Sequence, residues 1–215
     1  MNKMMYRVNI RSALLANALF FSCINYAANG QTQTDTLRDR DGNIYTIKVM
    51  PDNKKWTTDN LKINIPGSYC YEDAEQKCNQ YGRLYTWNAA NEGCKLLGEG
   101  WRLPTDEEWQ QMARGFGGAN GDSKDSGRTA YQALLSGGNA AFNALLGGGR
   151  EPGNGRYARL EAHGFYWTAT EDDTTLARYY NFGRGSQKLF RQTEGEKDRA
   201  FSVRCIKDIG NLKEQ

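Results

Sequence analysis

Residues 100–109 read GWRLPTDEEW, and the chemistry of these ten positions sets a boundary from which the rest of the chain can be read. Thr105 is a helix N-cap, and Glu108, three positions on, completes a capping box. Pro104 keeps Leu103 out of helical geometry and sharpens the start. Asp106, Glu107 and Glu108 fall in the first turn, where the helix dipole favours negative charge. Trp109, Met112 and Ala113 supply an inward face, and Gly115 stops the run. The three carboxylates are thereby accounted for as helix-start residues. A paired-carboxylate acid/base role would need a further partner in an apolar environment, and the sequence identifies none.

Upstream, LYTWNAANEGCKLL (84–97) reads as a second helix. Trp87, Ala90, Cys94 and Leu97 recur at spacings that mark one buried face, and Gly98 and Gly100 end it. Further back, DGNIYTIKVM (41–50) alternates as a strand, with KKWTTDNLKI (54–63) as its partner across a Pro51-Asp52-Asn53 turn. A polar loop carries Cys70 and Cys78. Downstream, residues 115–156 are glycine-rich and enclose one short helical segment. They lack a phosphate-binding G-x-x-x-x-G-K-[ST] pattern and do not form a dinucleotide fingerprint. Within them NGDSKDSG (120–127) approaches a calcium loop, but Lys124 and the missing twelfth-position Glu spoil it. The last third, FYWTATE, ARYYNFG, KLFRQTE and AFSVRCIKD, predicts an antiparallel meander. Two helices, small antiparallel sheets and long Gly-rich loops describe an α+β domain.

The first thirty residues differ from the rest. Lys3, Arg7 and Arg11 precede the apolar run ALLANALFFSCI (13–24), and no acidic residue appears before Asp35. This is the pattern of a secretory signal peptide over 1–30, with cleavage before Gln31. The rival is a lipoprotein signal acylated at Cys23, against which Phe20 and Phe21 stand. Residues 31–40 then form a flexible leader, 41–208 the domain and 209–215 a tail. Of the 28 Lys and Arg, three leave with the signal, so the remainder balances the 25 Asp and Glu. A neutral chain with interspersed charge excludes a nucleic-acid footprint. Any membrane attachment would run through the N-terminal lipid.

Cys70, Cys78, Cys94 and Cys205 remain, an even number that suggests two disulfides in one of three pairings. Cys70 and Cys78 suit a local clasp; Cys94 and Cys205 would then tie the middle of the domain to its end. Their spacings are not those of zinc ligands, and His163 is the sole histidine, so no metal or cofactor is expected.

The blocks DGNIYTIKV, WTTDNL (56–61), YGRLYTWNAA (81–90), GWRLPTDEEW, FYWTATE and FSVRCIKD, in this order, resemble the Fibrobacter succinogenes major paralogous domain family from about Asp41 to Asp208. The resemblance implies an exported or surface bacterial protein with a C-type lectin-like fold and the pairings Cys70–Cys78 and Cys94–Cys205. One departure is visible: the family commonly carries Cys-Pro-x-Gly-Trp, whereas KLLGEGW follows Cys94 here. GWRLPTDEEWQQMARG is also similar to a block of the formylglycine-generating enzyme superfamily. Its oxidases use a copper-binding cysteine pair in their C-terminal half; after Cys94 this chain has only Cys205. Glu151-Pro152-Gly153-Asn154 resembles the sugar-binding triplet of calcium-dependent lectins, but a glycine intrudes and no Trp-Asn-Asp follows.

These readings lead to a non-catalytic exported module that binds an extracellular carbohydrate or protein through loops on a rigid scaffold. Tyr157, Tyr166, Tyr179 and Tyr180 are the candidate contact aromatics. The alternatives are a metal-dependent enzyme of the oxidase-like superfamily and a structural surface lipoprotein held at Cys23.

Overall fold

Asp39 organises the entry to the domain. Its carboxylate accepts from the backbone N–H of Asp41 and Asn43, both at 2.9 Å, and from the Tyr45 hydroxyl at 2.6 Å. That turn joins β1 (Asp35–Arg38) to β2 (Ile44–Val49) in an antiparallel pair. The computed structural model describes Met1 and residues 35–210; the rest of the expected signal peptide, with Cys23, and Gln31 lie outside the described residues. Residues 35–38, assigned to a flexible leader on sequence, are therefore a strand. Four polar-rich residues with an exposed outer row carry too short an alternation to signal one.

β3 (Lys54–Thr57) follows a turn in which Asn53 adopts a left-handed φ of 59° and Asp52 accepts from the Trp56 indole N–H at 2.8 Å. The fourth strand of this sheet is β11 (Ile206–Asp208), giving the order β1-β2-β3-β11. The two ends of the domain thus meet in one sheet.

β4 (Ser68–Tyr69) pairs with β5 (Leu84–Tyr85), and between them lies α1 (Glu75–Tyr81), where a polar loop was expected. Seven residues burying only Cys78 and Tyr81 leave little periodicity to read. Both disulfides form: Cys70–Cys78 with Cα atoms 5.0 Å apart, and Cys94–Cys205 at 5.5 Å across a separation of 111 residues. α2 (Trp87–Lys95) buries Ala90 and Cys94 as predicted, while Trp87 stays half exposed. The predicted start at Leu84 falls instead in β5. α3 (Asp106–Arg114) begins as its sequence dictates: Thr105 accepts from Glu108 N–H, and Glu108 accepts from Thr105 N–H at 2.8 Å.

α4 (Arg128–Leu134) is the short helix within the glycine-rich excursion. Asp125 accepts from the N–H groups of Gly127, Arg128 and Thr129 ahead of it and in its first turn. Asp122 pairs with Gln110 and Arg114. The acidic run 120–127 is thereby spent on helix capping and surface pairing. A small hairpin, β6 (Gly149–Arg150) and β7 (Tyr157–Ala158), closes the excursion.

β8 (His163–Glu171), β9 (Leu176–Gly183) and β10 (Lys188–Glu196) form a three-stranded antiparallel sheet in the order β10-β9-β8. The fourth predicted strand does not extend this meander. Residues 200–206 are all buried and thread between elements instead: Ala200 bridges Arg150, Phe201 bridges Tyr85, Ser202 bridges Tyr166, and only then does β11 begin. One face of the three-stranded sheet carries Tyr166, Tyr180 and Phe182 into a cluster with Trp56, Trp109 and Phe142. The opposite face sends Trp167 and Ala177 into a second cluster with Tyr85, Cys94, Val203 and Cys205. The architecture is α+β, with four α-helices rather than two among the described residues.

Candidate functional site

Two buried carboxylates at the start of α3 are paired with arginines. Asp106, fully buried at the start of α3, is held by Arg178 at 2.8 Å and by Arg191. Burial pushes its carboxyl up, but the hydrogen bonds from Arg191 and Arg178 outweigh that and hold it below the usual range. Glu108 meets Arg102 in a two-pronged pair at 2.7 and 2.5 Å. Burial raises its pKa; Arg102 and the Thr105 N–H bring it down to about 2. Both carboxylates stay ionised and fully engaged, which suits scaffolding rather than proton transfer.

The four tyrosines do not converge. Tyr166 and Tyr180 are fully buried, so they are core residues and not contact residues. The Tyr166 hydroxyl donates to Leu145 C=O at 2.9 Å and accepts from Leu145 N–H at 2.7 Å. Tyr180 stacks on Trp109 with ring centres 5.0 Å apart, and burial drives its pKa upward. Tyr157 packs beside Tyr71 and donates to Asp73 at 2.6 Å; burial and that carboxylate push it up to about 12. Its neighbour Ala158 lines a cleft that also holds Tyr179, so Tyr157 and Tyr179 serve opposite faces of the β6–β7 hairpin.

Around Tyr179 the sheet is open. Directly paired residues in antiparallel strands share a face, so the register places His163, Phe165 and Trp167 of β8 beside Gly183, Asn181 and Tyr179 of β9. β10 continues the rows with Lys188, Phe190 and Gln192. Trp167 is sealed in the core, whereas His163, Phe165, Tyr179, Asn181, Phe190 and Gln192 are each half-buried. His163 lies flat on Phe165, ring centres 5.4 Å apart and planes 10° from parallel, and its Nδ1 meets Asn181 Oδ1 at 2.9 Å.

The β6–β7 hairpin overhangs one end of this face and encloses a cleft of about 170 Å³. Phe165, Tyr179 and Phe201 make its aromatic floor, with Phe165 and Tyr179 at 4.9 and 5.0 Å from the Phe201 ring. Glu151, Arg159, Asn181 and Arg199 supply its polar groups. A wider cleft of about 680 Å³ opens beside Trp87, but Lys197 covers that indole at 4.6 Å and is itself held by Glu171. Of the four candidate tyrosines only Tyr179 lies on this open face, beside Phe165, Phe190, Asn181 and Gln192, none of which the sequence reading singled out. Stepping by two along β9 from Tyr179 reaches Asn181; the cross-strand partners needed the register.

Among the described residues, the grouping of Cys70, Glu75 and Cys78 brings potential metal ligands together, but both of its sulfurs are tied in a disulfide. Among the described residues no helix is long and apolar enough to cross a membrane. The family model of the Fibrobacter succinogenes major domain matches residues 40–207. The chain belongs to this family. The Fibrobacter succinogenes major domain thus begins in the turn after β1 and ends within β11, leaving β1 as an added edge strand. No curated protein and no solved structure matches the chain.

Proposed function

We propose that this protein is an exported, non-catalytic binding module with a C-type lectin-like fold, and that the open end of the β8–β9–β10 sheet is its contact face. The observation that carries the reading is the group of half-buried aromatics Phe165, Tyr179 and Phe190, from two adjacent cross-strand rows of one face, beside a formed cleft. Aromatic side chains this large contribute most when covered, and these are left partly in water whereas Tyr166, Tyr180 and Phe182 on the opposite face of the same sheet are buried. Terminal strands meeting in one sheet, a long excursion between α3 and β8, and a disulfide from α2 to the residue before the last strand support the lectin-like fold. Two disulfides support an oxidising compartment. Because all four of these cysteines are paired, the chain offers no thiolate couple for copper, which supports a binding role over the oxidase-like alternative.

A glycan array and a pull-down from the native bacterial envelope test this reading, run with the wild type, Tyr179→Ala and a remote control, Ile44→Ser. Loss of the captured ligand in the first variant alone is the expected result. A ligand indifferent to Tyr179 would move the contact face elsewhere. Copper or iron bound stoichiometrically, with turnover, would overturn the non-catalytic reading. Mass spectrometry of the mature N-terminus decides the anchoring: pyroglutamate at Gln31 means release, and an acylated Cys23 means a surface lipoprotein.

A further inference from the structure

We propose that the cleft beneath the β6–β7 hairpin takes one sugar unit bearing a carboxylate, a uronic-acid residue of a glycan, with Arg159 as its counter-ion. The proposal rests on the open face being a binding surface and adds the ring and the charge of what it binds.

The ring follows from shape and lining. Phe165, Tyr179 and Phe201 give an apolar floor, and the space above it, about 170 Å³, is the size of a single six-membered sugar ring. Gly149 and Ala158 of the hairpin complete its lining. Such a pocket needs only a few placed polar groups to orient a ligand. Asn181 provides one: its Oδ1 is engaged by His163, and its amide N–H₂ has no partner among the described residues.

The charge follows from pairing. Arg199 is committed to Glu151 at 2.5 Å and to Glu196 at 3.0 Å. Arg159 is exposed at the mouth and makes no ion pair among the described residues. It is nevertheless held in place. Its backbone sits at a left-handed φ of 67°, and its C=O accepts from Ala162 N–H at 3.1 Å and His163 N–H at 2.9 Å. A planar guanidinium on a fixed turn matches a carboxylate through two parallel hydrogen bonds. Burial pushes the Tyr179 hydroxyl up, and the nearby charges of Arg199 and Arg159 oppose that push. A neutral hexose would use the floor and leave Arg159 idle; an acidic peptide would use Arg159 and leave the ring-sized floor empty.

Isothermal titration calorimetry tests the assignment on the purified protein. The probes are galacturonate, glucuronate and mannuronate trisaccharides, each beside its neutral methyl ester, together with a Glu-rich peptide. The expected result is that at least one uronate binds and its ester binds about tenfold or more weakly. Arg159→Gln should abolish that difference, Arg159→Lys should restore part of it, and Tyr179→Ala should remove binding of acid and ester alike. Near-UV circular dichroism checks the fold of the Tyr179 variant, and Asn181→Ala serves as a second floor variant. Equal binding of acid and ester, unchanged in Arg159→Gln, overturns the charge assignment and leaves the binding face standing. Peptide binding that depends on Arg159, with no uronate bound, overturns the sugar and also leaves the face standing. Uronate binding indifferent to both Tyr179 and Asn181 overturns the site itself. No binding of any probe overturns the proposal, and the envelope pull-down then judges the face separately.

Discussion

Arg204 Nε donates to Asn60 Oδ1 at 2.8 Å inside the core, and no carboxylate pairs with this fully buried guanidinium among the described residues. Its other nitrogens are taken by the carbonyls of Thr57, Phe142 and Asn143, and its plane lies over the Phe142 ring at 4.7 Å. Burial lowers its pKa, yet the four acceptors satisfy four of the five N–H donors that burial would otherwise orphan. One side chain therefore ties β3, the glycine-rich excursion and the C-terminal thread. Arg204→Lys should destabilise almost as much as Arg204→Ala, by about 3 kcal/mol, because an ammonium cannot span a forked set of acceptors. Urea unfolding midpoints check this; wild-type stability in the lysine variant would show that charge alone is enough.

The two disulfides should differ in worth. In the chain-entropy model the Cys94–Cys205 link, closing 111 residues, contributes about 4–5 kcal/mol, and the eight-residue Cys70–Cys78 link about 2–3 kcal/mol. Replacing each pair by alanines and comparing guanidinium unfolding should show the larger loss for the long link.

Acid sensitivity should centre on Glu108. Its carboxyl is held at about 2 in the folded chain against 4.5 in the ordinary state, so folding favours the ionised form. That stabilisation is complete above about pH 4.5 and disappears as pH falls toward about 2. Glu108→Gln should flatten the pH dependence of the unfolding midpoint across this window. An unchanged slope would assign acid loss to other carboxylates.

The contact face should be sensitive to the glycine beneath it. A Cβ at Gly195 would meet Trp167, Tyr179 and the Ala177 carbonyl, each at 2.8 Å, whereas one at Gly185 meets nothing within 4 Å. Gly195→Ala should cost about 1–3 kcal/mol by overpacking and weaken ligand capture, while Gly185→Ala leaves binding intact. Thermal melts and the pull-down read the two effects separately.

How far these features were legible in the sequence depends on the range of the interaction that sets them. The α3 start was readable because Pro104, Thr105 and Glu108 act within one turn. The leader strand and α1 were not, because each is too short to show a period, and the threading of 200–206 was not, because its partners Tyr85, Arg150 and Tyr166 lie far back along the chain. The tyrosines show the same limit at the site. Tyr179 and Tyr180 are consecutive in a strand, so the pleat allows only one of them to face outward. Which one is decided by Trp109, which claims Tyr180 for the core. Tyr166 follows from that choice, since it is paired with Tyr180.

The thread from Ala200 to Asp208 carries a kinetic implication. It supplies partners to Arg150, Tyr85 and Tyr166 and an edge to β3, and it holds the second half of the longer cross-link. A polypeptide made from its N-terminus therefore leaves this domain unfinished until residues 200–208 have emerged, and truncation before position 200 should yield a domain that never matures.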